Sequence, residues 1–249
     1  MGTSAALPGP SGEIWTSAWR AGRRWARSPE KPDEFGEECL RSLRAALKTN
    51  PDAFGLLRAT THGGIELVDA LDGLRRAGLA SLVDLETVEA EQRPARFVQA
   101  FTDRVAGDAA RVGEFAVRRS VVDCAEALLT QPDIRRRVQT ADSGPEPLIS
   151  DETFCRIYTL FFGQVVAEFL GSLLMAKVAL VASLPLGPFA LLVGWVVRRV
   201  TAGILSPCEV QGEFGRQGES ITEVARELVT QTAREAFGLG VEESVAVAT

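Results

Sequence analysis

The residue types that could catalyse a reaction or bind a metal are few and scattered in this chain of 249 residues. The single histidine, His62, lies in the sequence TTHGG, which is typical of a glycine-rich turn and predicts an exposed side chain. A cysteine could act as its nucleophilic partner, but no motif orients such a pair. The four cysteines show neither C-x-x-C spacing nor a disulfide framework, so we expect reduced thiols at Cys39, Cys124, Cys155 and Cys208.

Carboxylates at helical spacing could supply a second kind of chemistry. Asp123 and Glu126 share one predicted helix face, with Glu114 and Asp103 upstream. A di-metal site in a helical bundle also needs Glu-x-x-His pairs, which the sequence lacks, so we expect a solvated acidic face. The phosphate-binding, dinucleotide-binding and serine-nucleophile motifs are absent too. The sequence therefore predicts no enzyme, no catalytic residue, no cofactor and no metal.

Glu168 is the most informative charged residue, because only it and Gln164 interrupt the apolar run from Ile157 to Met175. An acid in such a run needs a partner, a proton or water. Glu168 either lies on a solvent-facing stripe of a half-buried helix or acts as a switch. As a switch it would be neutral when the segment enters a membrane and ionised in the soluble form.

The helices that could position Glu168 are predicted from the apolar segment that follows it. Residues 178–197 carry no charge and, as one helix, would rise about 30 Å, the thickness of a bilayer core. However, Pro185, Gly187 and Pro188 favour a turn near the middle. We therefore expect a long helix from about Asp151 to Ser183, a second helix beginning at Pro188, and thus an apolar C-terminal helical hairpin. The second arm reaches only about 15 Å before Arg198, which allows shallow insertion.

Small residues recur at every fourth position in both arms of this hairpin. Such spacing lets two helix backbones approach closely, in lipid or in a soluble core. The predicted packing residues are Gly163, Ala167, Gly171, Ala190 and Gly194, and the first three also predict oligomerisation. The predicted membrane or partner contacts on the second arm are Leu192, Trp195, Arg198 and Arg199.

A helix near the N terminus, from Glu13 to about Ser28, combines tryptophans on one face with arginines on the other. Trp15, Trp19 and Trp25 fall within one arc, and Arg23 and Arg24 lie opposite. This pattern suits a lipid interface, where tryptophan lies at headgroup depth and arginine meets anionic lipid. Docking of the tryptophans on the protein's own core is the alternative.

The remaining sequence predicts an all-α protein, a multi-helix bundle with the apolar hairpin near its C-terminal end. Helical patterns cover residues 65–76, 79–89, 94–106, 108–130 and 132–140, and no strand pattern occurs. Ser220 and Glu223 form the capping box of a final helix. The expected organisation is a flexible tail at 1–12, a helical domain at 13–140, a linker at 141–150, the hairpin at 151–206, and a C-terminal helix and tail at 207–249.

The amino-acid composition limits the classes of molecule that this protein is expected to bind. A net charge of −6 lacks the basic footprint of a nucleic-acid-binding protein. The first thirty residues contain no apolar signal region, so we expect a cytoplasmic protein at the inner face of the membrane. The predicted function is a non-enzymatic, membrane-associating or membrane-perturbing protein whose partners are membrane lipid, a protein or a second copy of itself. The alternative is a soluble all-α adaptor or scaffold whose hairpin is core or a protein interface.

Overall fold

A computed structural model describes residues 12–27, 32–51, 53–107, 112–144, 146–175, 186–213 and 218–240. Within these ranges the chain forms ten α-helices packed together and no β-strand. The helices are α1 Thr16–Trp25, α2 Asp33–Thr49, α3 Leu56–Ala77, α4 Arg93–Ala106, α5 Val112–Leu129, α6 Pro132–Thr140, α7 Asp151–Met175, α8 Leu186–Thr201, α9 Pro207–Glu213 and α10 Ile221–Ala236. The predicted tail lies outside the described residues except for Gly12.

Helix α7 is the centre of the bundle, because its apolar residues surround the whole helix and it is buried along most of its length. Helices α3 and α5 run antiparallel to it. Arg75 near the end of α3 bonds to Asp151 at the start of α7 over 2.9 Å. Gln131, just after α5, accepts a hydrogen bond from Thr153. Helix α10 covers a further face, where Tyr158 and Thr232 share a buried hydrogen bond of 2.9 Å.

Helix α3 runs without a break through the sequence TTHGG, so the predicted turn there is wrong. The two glycines serve close packing instead. A Cβ at Gly63 would lie 2.7 Å from a methyl group of Val117, and one at Gly64 would lie 2.9 Å from a methyl group of Val229. The missing side chains therefore allow α5 and α10 to approach α3.

The predicted helix at 79–89 is also wrong. A short 3-10 turn, Gly78–Ser81, is followed by irregular chain up to Gln92. The Asp84 carboxylate accepts a hydrogen bond from the backbone N–H of Glu86, a local bond that competes with helix formation. Leu85 is nevertheless fully buried, which explains the helix-like spacing of apolar residues in this segment.

The predicted linker at 141–150 is tied to the bundle. The Arg137 guanidinium, which is nearly buried, donates hydrogen bonds to the carbonyl oxygens of Gly144, Glu146 and Pro147. Leu148 donates its backbone N–H to the carbonyl of Leu74 over 2.9 Å. Helices on both sides of this segment pack on one another, since α7 contacts α3 and α5.

Candidate functional site

The most exposed apolar side chains of the predicted hairpin lie at the end where α7 stops and α8 begins. Met175, the last residue of α7, is 52% exposed, and Leu191 in α8 is 53% exposed. Ala190 is exposed and Phe189 is half-buried beside them. We call these four residues the apolar end. The connecting residues 176–185, which hold most of the predicted turn, lie outside the described residues.

Helix α8 packs antiparallel to α7, and the contact uses the small residues of α7. A Cβ at Gly163 would lie 2.8 Å from a methyl group of Thr201, and one at Gly171 would lie 3.3 Å from the Phe189 ring. Ala167 is buried between them. In this conformation the α7 ridge faces the protein's own α8 and is not open to a second copy.

The two small residues predicted on α8 lie elsewhere. Ala190 is exposed, and the atom nearest to a Cβ on Gly194 is the Arg198 Nη1 of the same helix, at 3.4 Å. The face of α8 that meets α7 is built from larger residues, among them Val197 and Thr201. The apolar spacing of α8 therefore places its small residues away from α7, and close approach depends on the glycines of α7 alone.

The other side of α8 is covered by α2. Leu192 is only 3% exposed. The Trp195 ring lies against Gly36, where an added Cβ would overlap the ring, and its Nε1 donates a hydrogen bond of 2.9 Å to Asp33. Two residues predicted to contact a membrane or partner are thus covered, fully or in part, by the chain itself.

The two arginines that end the apolar stretch differ in their contacts. Arg199 donates a hydrogen bond of 2.8 Å to the Glu37 carboxylate of α2. Arg198 is exposed. The basic end of α8 therefore contributes one ion pair across the α2 contact and one guanidinium that faces solvent.

The tryptophan face of α1 is docked on the protein's own core, as in the alternative interpretation of the sequence. Trp15 and Trp25 are each 5% exposed, and Trp25 packs on Phe35 of α2 with ring centroids 5.4 Å apart. Trp19 is half-buried and stacks on Trp15. Contact of these indoles with lipid would require α1 to leave α2.

The arginine face of α1 remains open to solvent. Arg23 and Arg24 are both exposed, and Arg24 forms an ion pair with Glu34 at the start of α2. This basic face lies beside the end of α2 that contacts Trp195. The arginine face of α1 therefore lies beside an end of α2 that carries Asp33 and Glu34.

Glu168 lies between α7 and α5, with its side chain 21% exposed. Its carboxylate accepts a hydrogen bond of 3.4 Å from Arg119. Asp123 of α5 faces the same place, and its pKa is raised to about 6, first by burial and then by the charges of Glu168 and Glu126, against the lowering effect of Arg119. Glu168 is therefore partly solvated and paired with an arginine, and it lies beside a carboxyl group whose pKa is raised.

A disulfide joins Cys155 in α7 to Cys208 in α9, with a Cα–Cα distance of 6.0 Å. The expectation of reduced thiols is therefore wrong for this pair, and it holds for the buried Cys39 and Cys124. The pairing has no signal in the sequence, because the partners are 53 positions apart. The bridge encloses α7 and α8 in one covalent loop.

His62 is an exposed residue within α3 and lines a shallow groove of about 430 Å³ between α3, α4 and α5. Arg58 and Glu114 lie at the same groove. Among the described residues no group of three histidines, cysteines or carboxylates could hold a metal ion. A second cleft, of about 380 Å³, lies between α2, α8 and the end of α10 and is lined mainly by polar groups, including Arg44 and Glu235.

Comparisons with known proteins add no family or fold relative: no family model, curated protein or solved structure matches the chain. Among the described helices, α7 is the one that is long and apolar enough to cross a bilayer. Its most apolar part is 67% buried within the protein, as in the central helix of a soluble bundle. Length and composition of α7 are therefore weak support for a membrane span.

Proposed function

We propose that this is a non-enzymatic, membrane-associating protein in which α7 and α8 form an apolar helical hairpin whose apolar end contacts the lipid bilayer. The observation that supports the proposal is the exposure of Met175 and Leu191 at one end of the bundle. The sequence that connects them, residues 176–190, carries a single charge, Lys177. Such a concentration of apolar side chains at one end is typical of an interaction site.

The binding free energy expected from these residues corresponds to reversible association with a bilayer surface. Full burial of a leucine or methionine side chain is worth about 1.5–3 kcal/mol, so two half-exposed side chains supply about 2 kcal/mol in total. Each arginine near an anionic surface adds about 1 kcal/mol, and Arg23 and Arg198 are exposed. We therefore expect preference for anionic bilayers and loss of binding at high salt.

The depth of insertion is limited by the arginines of α8. Arg198 follows Leu186, the first residue of the helix, by about 18 Å at the α-helical rise of 1.5 Å per residue. This is little more than half of the bilayer core of about 30 Å. The proposal is therefore contact or shallow insertion. The Cys155–Cys208 disulfide is typical of proteins in an oxidising compartment.

Vesicle flotation tests the proposal with a matched pair of variants. Leu191→Glu places a charge at the apolar end, whereas Leu205→Glu places one on another exposed leucine, beyond the opposite end of α8. We expect wild type and Leu205→Glu to float with phosphatidylcholine–phosphatidylglycerol vesicles and Leu191→Glu to stay in solution. Equal flotation of all three proteins, or of none, would contradict the proposal.

A soluble adaptor or scaffold is the second candidate function, and a different observation favours it. Trp15, Trp25 and Leu192 are already buried by the chain, so the apolar faces predicted to bind lipid serve as core in this conformation. An adaptor should remain monodisperse and absent from the vesicle fraction at every salt concentration. A protein or second-copy partner would then occupy the apolar end.

A further inference from the structure

Helix α2 lies along α8 in a parallel register that three contacts define. Asp33 and Gly36 meet Trp195, and Glu37 meets Arg199 one helical turn later. Because Trp195 and Arg199 lie one turn apart on α8 and their partners follow in the same order on α2, the two helices meet along a parallel seam. The polar contacts lie at the exposed edge of this seam.

Apolar side chains lie beneath the seam. Leu192 and Val196 of α8 line a very small cavity of about 10 Å³ together with Cys39 of α2 and Gly171 of α7. Val200, one turn further, is also buried. Ala167, Leu170 and Leu174 of α7 line the same cavity, so removal of α2 would uncover the side of this apolar stripe that α7 leaves open, next to the already exposed Leu191.

Helix α1 depends on α2 for its position, since its extensive contacts are with α2 and the short turn before α1. Ser42 of α2 donates a hydrogen bond of 2.8 Å to the carbonyl of Ile14, which ties that turn to the same unit. The α1–α2 pair is thus joined within itself by the Trp25–Phe35 contact and this bond. We call residues 12–27 and 32–49 the cover.

The chain changes direction directly after the cover. Asn50 is extended, while Phe54 and Gly55 have φ angles of 62° and 63° in the left-handed region. The left-handed backbone of Phe54 is strained, because a residue with a Cβ rarely adopts it. The Phe54 ring packs on Phe169 of α7, with ring centroids 5.2 Å apart. Residues at such element ends absorb backbone rotation in hinge motions.

We propose that the cover is autoinhibitory: it masks the apolar stripe of Leu192, Val196 and Val200, and its release gives the protein a second, larger surface for an anionic phospholipid bilayer. This inference rests on the proposed function, which supplies the ligand. The bilayer is favoured as occupant because the stripe is continuous with the apolar end and bordered by Arg198 and Arg199. Such a surface joins apolar area to positive charge.

Two matched pairs of variants test the cover. Gly36→Ala inserts a methyl group where the Trp195 ring already lies, while Gly212→Ala inserts one in the helix α9 with no atom within 4 Å. Glu37→Gln removes the charge of the ion pair between α2 and α8, while Glu38→Gln removes the charge of the ion pair between Glu38 and Arg41 within α2. The measurements are hydrogen exchange of α2 and α8 and flotation with the phosphatidylcholine–phosphatidylglycerol vesicles.

We expect Gly36→Ala to speed exchange in α2 and α8 and to raise the vesicle-bound to free ratio about tenfold, with a smaller change in the same direction for Glu37→Gln. Gly212→Ala and Glu38→Gln should match wild type. If hydrogen exchange in α2 and α8 were unchanged in both Gly36→Ala and Glu37→Gln, the proposal that the cover can be released would be wrong. Faster exchange with unchanged vesicle binding would overturn the buried stripe as a lipid surface. In either case, wild-type flotation that Leu191→Glu abolishes would leave the proposed function standing, whereas no flotation of any variant would overturn both.

Discussion

The indole Nε1 of Trp195 donates a hydrogen bond of 2.9 Å to the Asp33 carboxylate, 162 positions earlier in the chain. The same indole lies over Gly36, one turn further along α2. A side chain that was expected to face a membrane or partner is thereby part of the contact between the first and the last third of the protein. Its two contacts fix the register of α2 on α8, since they involve one face of α2.

Trp195→Phe should lower the free energy of unfolding by about 1 kcal/mol, because an aromatic ring remains over Gly36 while the hydrogen bond to Asp33 is lost. Asp33→Asn retains an acceptor oxygen and should cost less. Urea denaturation followed by circular dichroism measures both changes. Identical urea midpoints for Trp195→Phe and wild type would show that this bond contributes nothing to stability.

Gly163→Ala and Gly194→Ala compare two glycines that have the same spacing signal but different surroundings. The new Cβ at Gly163 would approach Thr201 to 2.8 Å, so we expect a loss of about 1–3 kcal/mol in the free energy of unfolding through overpacking. At Gly194 the nearest atom is the mobile end of Arg198, at 3.4 Å. That variant should be neutral or more stable by up to about 1 kcal/mol, as expected for alanine in a helix. Equal effects in the same denaturation assay would contradict the assigned packing.

Reduction of the Cys155–Cys208 disulfide should lower the free energy of unfolding by about 2–4 kcal/mol, because the bridge closes a long loop of the unfolded chain. A Cys155→Ala/Cys208→Ala double variant should show the same loss and no response to dithiothreitol. Burial raises the pKa of the Cys39 and Cys124 thiols far above the usual range, so they should resist maleimide until the protein unfolds. An unaltered midpoint in dithiothreitol would argue against the bridge.

Local signals in the sequence predicted the helical class and several helix ends. The capping box of Ser220 and Glu223 is confirmed, with both reciprocal bonds present. Helices at 94–106 and 132–140 are confirmed to within a residue or two. These features depend on neighbouring residues, for which spacing and capping are sufficient information. The helix break predicted at Gly63 and Gly64 is wrong, because a glycine needed for close helix packing cannot be distinguished in sequence from a glycine that ends a helix.

The features of the candidate site depend on distant residues, and sequence patterns do not encode them. Amphipathic spacing showed that α1 buries its tryptophans, but it did not distinguish lipid from α2 as the surface that covers them. The pairing of Cys155 with Cys208, and of Arg199 with Glu37, requires knowledge of the tertiary arrangement. The charge-free stretch at 178–197 was recognisable in sequence, but the sequence predicted Leu192 and Trp195 as its contact residues, whereas the exposed apolar side chains are Met175 and Leu191.

Asp123→Asn should stabilise the protein at neutral pH. The pKa of Asp123 is raised from 3.8 to about 6, so the folded state holds this proton more tightly than the unfolded chain does. Between pH values of about 4 and 6 the stability therefore falls as pH rises, and above that range the full cost of the buried charge is present. Removal of the charge should add about 1 kcal/mol at pH 7.5, a figure reduced for partial solvation, and nothing at pH 4. Denaturation at several pH values measures this difference, and an equal gain at both pH values would contradict it.

Glu168→Gln tests whether the carboxylates between α5 and α7 control membrane binding. The groups that face one another there are Glu168 on α7 and Arg119, Asp123 and Glu126 on α5. Glu168→Gln removes the ion pair with Arg119 and the repulsion from Asp123, and a neutral side chain is cheaper to bring near lipid. If Glu168 is the switch, Glu168→Gln should float with vesicles more than wild type does at pH 7.5, and its flotation should change less with pH. A Glu168→Gln protein with the pH dependence of wild type would instead leave this residue as one half of a solvated ion pair.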